Sequence, residues 1–220
     1  MTEILVTAGP TREHLDDVRF LSNGSTGRMG FAIASAAAAR GCSVTLVAGP
    51  SSLPTPDGVH RVDVISARDM LDAAETAFDR CDVAFFAAAV ADHRPARRAS
   101  GKPPKVEGPQ TLELVPNPDI ARTLGARKGR RVCVGFALES YADPAQRDAA
   151  FARAKDKLAR KSFDLCVVNA PEALGDAASR VVVLARDGRI EELPRQSKAK
   201  TAELLVDKAL AQRAANGDSS

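Results

Sequence analysis

Ile4-Leu5-Val6-Thr7 leads into Ser22-Asn23-Gly24-Ser25-Thr26-Gly27-Arg28-Met29-Gly30, an alanine-rich stretch follows from Phe31 to Arg40, and after Gly41 a second apolar run appears as Val44-Thr45-Leu46-Val47. A short apolar run, a longer stretch at helical spacing, a glycine stop and another short run read as a βαβ unit. The rhythm repeats with Val62-Asp63-Val64-Ile65, a helix over Ala67 to Phe78, and Val83-Ala84-Phe85-Phe86. The unbroken hydrophobicity of the last run suits a strand covered on both faces, as in a parallel sheet. The fold class predicted is α/β: a Rossmann-like, doubly wound, mostly parallel sheet.

Outward from that half, His93 to Pro109 is rich in Pro, Gly, Arg and Lys, which predicts an exposed loop. An alternating strand is expected over Thr111-Leu112-Glu113-Leu114-Val115. A helix is expected after Asn117-Pro118-Asp119, with Asn117 as N-cap and Pro118 in the first helical position. Val132 to Phe136 and Asp164 to Asn169 read as strands bracketing a basic helix over Ala145 to Lys161. Arg180 to Leu184 and Arg189 to Leu193 flank Asp187-Gly188 as a small β-hairpin extension, and a last helix covers Ala199 to Ala211. The expected organisation is one domain over residues 1–213 and a frayed tail over 214–220.

A chain of 220 residues with 45% hydrophobic and 27% charged content is a globular chain able to bury a core, not a disordered or fibrous one. Thirty-one basic against 28 acidic residues give a net charge of +3, no global footprint for nucleic acid or an anionic membrane. Any anion must be met by a local cluster. Cys42, Cys81, Cys133 and Cys166 stand far apart without a CxxC pair and read as buried free thiols of a reducing compartment. No apolar run approaches the roughly 20 residues that span a bilayer, and Met1-Thr2-Glu3 leads straight into a strand, so the cytoplasm is expected. His14, His60 and His93 are too scattered to suggest zinc.

The loop after the first strand carries the richest chemistry. Gly24, Gly27 and Gly30, with the Ser25 and Thr26 hydroxyls at a helix start, can bring backbone N–H groups to a phosphate or carboxylate. One such glycine alone more often relieves crowding between helix and sheet; the loop as a whole favours anion binding. Neither GxxxxGK[ST] nor GxGxxG is present, and Val47-Ala48-Gly49-Pro50 lacks the acid that a nicotinamide enzyme places against ribose. Tyr141, the sole tyrosine, is followed four residues on by Ala145 and not by the lysine of a short-chain-type dehydrogenase. At the end of the fourth strand, Ala87-Ala88-Ala89-Val90-Ala91-Asp92 leaves room for a planar ligand, with Asp92 read equally as a ligand contact or a turn residue. His93 reads as a loop residue. Lys102 and Lys105 sit in the polar loop. Lys155 suits a solvated face, whereas Lys157 and Lys161 project from one helix face and can meet a polyphosphate together. A loop bearing Lys102 can close over the same anion and neutralise a leaving pyrophosphate.

Thr7-Ala8-Gly9-Pro10-Thr11-Arg12-Glu13, Ser22 to Gly30, Ala88-Ala89-Val90-Ala91-Asp92, Asn117-Pro118-Asp119-Ile120 and Gly135-Phe136-Ala137-Leu138-Glu139, in this order, resemble bacterial phosphopantothenoylcysteine synthetase over nearly the whole chain. The resemblance implies a ligase of coenzyme A biosynthesis. CTP, accompanied by Mg²⁺, activates 4'-phosphopantothenate to an acyl-cytidylate with loss of pyrophosphate, and L-cysteine then displaces CMP. It implies catalytic roles for Asn23 and for Lys102, the lysine of a flap, with Asn23 donating to the held carbonyl. Asn23, Gly24, Ser25, Thr26 and Gly27 would bind phosphopantothenate. Ala88, Asp92, Lys102, Pro118, Asp119, Ile120, Ala121, Phe136, Lys157 and Lys161 would meet the nucleotide, with no metal ligands assigned. It also implies a homodimer, through the hairpin at Asp187-Gly188 or the strand at Thr111 to Val115. Relatives are commonly fused behind a flavin-dependent decarboxylase, so association with a phosphopantothenoylcysteine decarboxylase is expected, and flavin on this chain is not. The flap departs from the family's lysine run in Lys102-Pro103-Pro104-Lys105. Two other readings stay open: a nucleotide-binding regulator without chemistry, and a nicotinamide oxidoreductase.

Overall fold

The apolar runs of the first half assemble as successive βα units, each burying one stripe of helix on the sheet. The computed structural model describes residues 1–139, 143–169 and 178–217. In chain order the elements are β1 (Glu3–Ala8), β2 (Arg12–His14), β3 (Phe20–Ser22), α1 (Arg28–Ala38), β4 (Ser43–Ala48), β5 (Val59–Asp63), α2 (Ala67–Phe78), β6 (Val83–Phe86), β7 (His93–Pro95) and β8 (Leu114–Pro116). They continue with α3 (Ile120–Gly125), β9 (Val132–Leu138), α4 (Pro144–Arg160), β10 (Leu165–Asn169), β11 (Ala178–Ala185), β12 (Ile190–Ser197) and α5 (Lys198–Gly217).

An eight-stranded sheet runs in the order β12-β11-β10-β9-β6-β1-β4-β5. From β10 to β5 every pairing is parallel, and β11 and β12 add antiparallel pairings at one edge. The expected Rossmann-like sheet with its hairpin extension is therefore present. Strand alternation splits the core in two. Ile4, Val6 and Ala8 of β1 face α1 and α5, while Leu5 joins α2, α3 and α4 on the other face. Full burial of such side chains contributes about 1.5–3 kcal/mol each, which is why the apolar runs outweigh the modest strand length. Gly135 in β9 is required by packing, because a Cβ there would stand 1.8 Å from the Phe163 ring, which itself stacks on Phe86 at 5.8 Å.

Several boundaries differ from the sequence reading. β5 begins at Val59, because its register with β4 pairs Val44 with Val59 and ends at Ala48 with Asp63. Ile65 is 51% exposed, and its carbonyl accepts from the Arg12 N–H at 2.8 Å. Of the strand expected over Thr111 to Val115 only β8 forms, pairing with β7, since residues 111–114 are exposed and have no face to bury. The N-cap of α3 is Asp119, whose carboxylate accepts from the Arg122 N–H. Asn117 is drawn away: its amide donates to the Ala91 carbonyl at 2.9 Å, and its Oδ1 accepts from Arg94. α5 continues to Gly217, tethered by Arg213 to Asp82 at 3.1 Å; residues 218–220 of the expected tail, and Tyr141, lie outside the described residues. The cysteines are free thiols, with Cys42 half-buried and not fully enclosed.

Candidate functional site

The chain winds from β1 through β4 to β5, then returns to lay β6 on the other side of β1 and continues outward to β9 and β10. The order thus reverses between β1 and β6, and ligands of open α/β sheets bind in the crevice outside the carboxyl ends at such a point. Loops from those two strands are laced together there. Pro10 bridges to Ala89, the Ala89 N–H donates to the Gly9 carbonyl at 2.9 Å, and the Ala91 N–H donates to Thr11 Oγ1 at 3.0 Å. Asn23 closes the seam, its Nδ2 donating to the Ala89 and Val90 carbonyls at 3.0 and 3.1 Å. Both amide hydrogens of Asn23 are therefore used inside the fold, and its carbonyl oxygen, an acceptor, is what remains for a ligand. Asn23 thus lines the larger cavity with its amide nitrogen engaged in the seam.

The glycines of this loop do different things. Gly27 is the N-cap of α1 at φ 79°, a left-handed conformation that side chains resist. Gly30 lets the helix approach β1, since a Cβ there would stand 2.4 Å from Ala8 Cβ. A Cβ on Gly24 would meet nothing within 4 Å, so the loop is open at that point. No side chain caps α1, and Arg28, Met29 and Gly30 of its first turn line the crevice, a helix start that favours negative charge.

Two adjoining cavities fill the crevice. The larger, about 500 Å³, is lined by Asn23 to Gly30, Ala87 to Val90, Asp92, Phe136 to Leu138, Lys157, Asn169 and Lys198. The smaller, about 250 Å³, is lined by Ala88 to Asp92, Asn117 to Ala121, Phe136, Lys157, Lys161 and others. Ala88, Ala89, Val90, Asp92, Phe136 and Lys157 belong to both and form the wall where the two meet. Gly24, Ser25, Thr26 and Gly27 thus fall in the larger cavity, and Pro118, Asp119, Ile120, Ala121 and Lys161 in the smaller. Asn169 and Lys198 also line the larger cavity, outside the motifs read from the sequence, and Arg28 lines it from within the Ser22 to Gly30 stretch, where no role was assigned to it. Asn169 carried one legible signal, a polar side chain at the carboxyl end of a strand; Lys198 carried none, because only the hairpin's return brings it there.

Charge at the shared wall is set by neighbours. Lys157 Nζ donates to the Phe136 carbonyl at 2.7 Å, and burial, followed by the nearby Lys161 charge, pushes its ammonium below the usual lysine range. Lys161 Nζ meets Asp119 Oδ1 at 2.8 Å. Burial pushes the Asp119 carboxyl up, but hydrogen bonds from Lys161 and the Arg122 N–H outweigh it and hold the carboxyl below its ordinary value. Asp92 is exposed at the junction. Burial raises the thiols of Cys81 and Cys133 to about 12 and of Cys166 to about 11, so they stay protonated and suit packing, not nucleophilic attack. Among the described residues no group of three or more His, Cys, Asp or Glu side chains is placed to hold a metal, and no helix is long and apolar enough to cross a membrane.

Lys102 lines neither cavity and is exposed. Its segment, residues 96–113, is tied down on either side of it: the Ala96 N–H donates to the Glu113 carbonyl at 3.0 Å, and the Ala99 N–H to the Leu15 carbonyl at 2.8 Å. Asp17 accepts from Arg98 and from the Gly101 N–H, each at 2.9 Å. The hairpin of β2 and β3 thus anchors the segment immediately before Lys102.

The profile of a family described as DNA/pantothenate metabolism flavoprotein, C-terminal domain, matches residues 1–212. The chain is 39% identical over 213 residues to a cysteine/cysteine sulfinic acid decarboxylase of an unknown prokaryotic organism, covering 94% of this chain and 57% of that protein. It is 43% identical over 219 residues to the coenzyme A biosynthesis bifunctional protein CoaBC of Mycobacterium bovis, covering 93% of this chain and 51% of that protein. The chain therefore spans little more than half the length of these relatives. Among solved structures, the C-terminal domain of a coenzyme A biosynthesis bifunctional protein CoaBC superposes with a TM-score of 0.79 at 36% identity, covering 94% of this chain and 93% of that one.

Proposed function

Because this chain belongs to the DNA/pantothenate metabolism flavoprotein C-terminal domain family, we propose that it is a CTP-dependent phosphopantothenate–cysteine ligase acting in coenzyme A biosynthesis. The observation that carries this reading is the pair of cavities meeting at one wall of Ala88 to Val90, Asp92, Phe136 and Lys157. Activation of an acid by a nucleotide is served by such an arrangement, with acid and nucleotide each in its own cavity and the reacting atoms at the wall.

In this reading CTP occupies the smaller cavity, its base between Phe136 and the Pro118 to Ala121 turn and its phosphates toward Lys157 and Lys161. 4'-Phosphopantothenate lies in the larger cavity along Asn23 to Gly27. Its carboxylate attacks the α-phosphorus; the P–O bond to the β-phosphate breaks and pyrophosphate leaves, giving the acyl-cytidylate. The cysteine amine then attacks the acyl carbon, the bond to CMP breaks, and the amine's proton passes to solvent. Lys157 at the wall offsets charge developing on the transferring group, and Lys102 joins it when the segment around it closes. Mg²⁺ arriving with the triphosphate would neutralise phosphate charge and would be met by Asp92, the exposed carboxylate at the junction, since the other carboxylate of that cavity, Asp119, is paired to Lys161.

A homodimer is part of the proposal. Exposed Val18, Phe20, Leu112 and Leu114 lie on or beside the β2–β3 and β7–β8 hairpins, which favours this surface over the Asp187-Gly188 turn. The reading also includes a cytoplasmic location and association with a decarboxylase that supplies the flavin. The test is product analysis of the purified chain with 4'-phosphopantothenate, L-cysteine, Mg²⁺ and either CTP or ATP. Formation of 4'-phosphopantothenoylcysteine with CMP and pyrophosphate, from CTP in preference to ATP, supports the ligase. CTP binding without turnover would favour a regulator, and NAD(P)H binding an oxidoreductase.

A further inference from the structure

We infer that Lys198, the first residue of α5, reads the phosphate group of the pantothenate substrate, and so sets the preference for a phosphorylated over an unphosphorylated acid. This rests on the ligase reading and assigns a residue to its far end. Lys198 lines only the larger cavity, Lys161 lines only the smaller, and Lys157 stands at the wall between them. Arg28 also lines only the larger cavity, from the first turn of α1, so the cations separate into those of the smaller cavity, the one at the wall, and the pair Arg28 and Lys198 in the larger cavity away from the nucleotide. A substrate with a carboxylate at one terminus and a phosphate at the other, laid with its carboxylate at Lys157, carries its phosphate away from the nucleotide, toward Lys198.

Topology brings Lys198 there. β11 runs antiparallel to β10 and β12 antiparallel to β11, so β12 again points the way β1 points. α5 consequently starts at the carboxyl edge of the sheet, as α1 does. The two helices pack together on one face, with Arg40 just after α1 paired to Asp207 within α5 and donating to the Glu203 carbonyl. Their starts thus share the mouth of one cavity, and Lys198 adds a full charge there.

A phosphate carries more charge than a carboxylate and takes charge-assisted hydrogen bonds from a lysine, each strong enough to change affinity about tenfold. The experiment compares wild type, Lys198→Gln and Lys198→Arg, with 4'-phosphopantothenate and with pantothenate as acid substrates. Lys198→Gln is expected to raise KM for 4'-phosphopantothenate about tenfold, to leave KM for CTP and for pantothenate unchanged, and so to erase most of the discrimination. Lys198→Arg is expected to restore it. An unchanged KM for 4'-phosphopantothenate, or an equal rise for both acids, would overturn the assignment of Lys198 while leaving the ligase standing. A wild-type protein that makes no phosphopantothenoylcysteine would overturn both.

Discussion

The lysines of α4 and the lysine of the 96–113 segment are placed by opposite means. Lys157 and Lys161 sit on a long helix and at its end, held by the Phe136 carbonyl and by Asp119, with Lys157 largely desolvated. Lys102 stands exposed in a stretch of proline and glycine, fixed only up to Gly101 by Asp17. The first pair is organised before any ligand arrives, as binding of a polyanion requires. The second is anchored up to Gly101 and lies outside both cavities, as a group that the proposed reaction needs only transiently can be.

That contrast is open to attack. The largest effect is expected from Lys102→Gln: pyrophosphate release falls about 100-fold, as for loss of one charge-stabilising donor, while CTP affinity by calorimetry stays within about threefold. Equal losses in both would erase the distinction between the two regions. Lys157→Gln is expected to weaken CTP binding about tenfold. The protonated ammonium is the form that binds the anion, and its pKa lies below the ordinary lysine value, so wild-type CTP affinity should fall on raising the pH before an ordinary lysine would titrate. Lys157→Gln should lack that alkaline loss; its persistence would exclude Lys157 as the source. Asp17→Ala, which frees Gly101 and Arg98, should lower kcat about threefold with the melting temperature unchanged, because exposed ion pairs contribute about 0–1 kcal/mol. An unaffected kcat would show that the anchor does not position the segment. The smallest change is expected for Asp119→Ala, where loss of the α3 cap costs about 1 kcal/mol of stability by thermal unfolding and Lys161 loses its tether, so CTP affinity shifts only about twofold.

The sheet was legible because its strands are buried on both faces and its helices carry a clear stripe; Ala67–Phe78 and Val83–Phe86 have the bounds that their apolar spacing dictates. Where burial is partial, pattern failed. Thr111 to Val115 alternates but covers nothing, and Asn117 has the chemistry of a cap but finds a better partner in Ala91. The site shows the same division. Residues in sequence-local motifs, Asn23 to Gly27 and Ala88 to Asp92, line the crevice as expected, while Asn169 and Lys198 reach it only through sheet order and the double reversal of the hairpin. No local sequence signal encodes such convergence. The seam that Asn23's amide makes with the Ala89 and Val90 carbonyls likewise joins it to a loop 66 and 67 residues further along the chain.

The claim that the two cavities hold the two halves of one condensation is tested most directly by a single-turnover reaction without cysteine. With enzyme in excess over 4'-phosphopantothenate and CTP, the account predicts about one equivalent of pyrophosphate per acid substrate, with CMP retained as enzyme-bound acyl-cytidylate until cysteine is added. Pyrophosphate that forms only when cysteine is present, or CMP that leaves without it, would contradict the account.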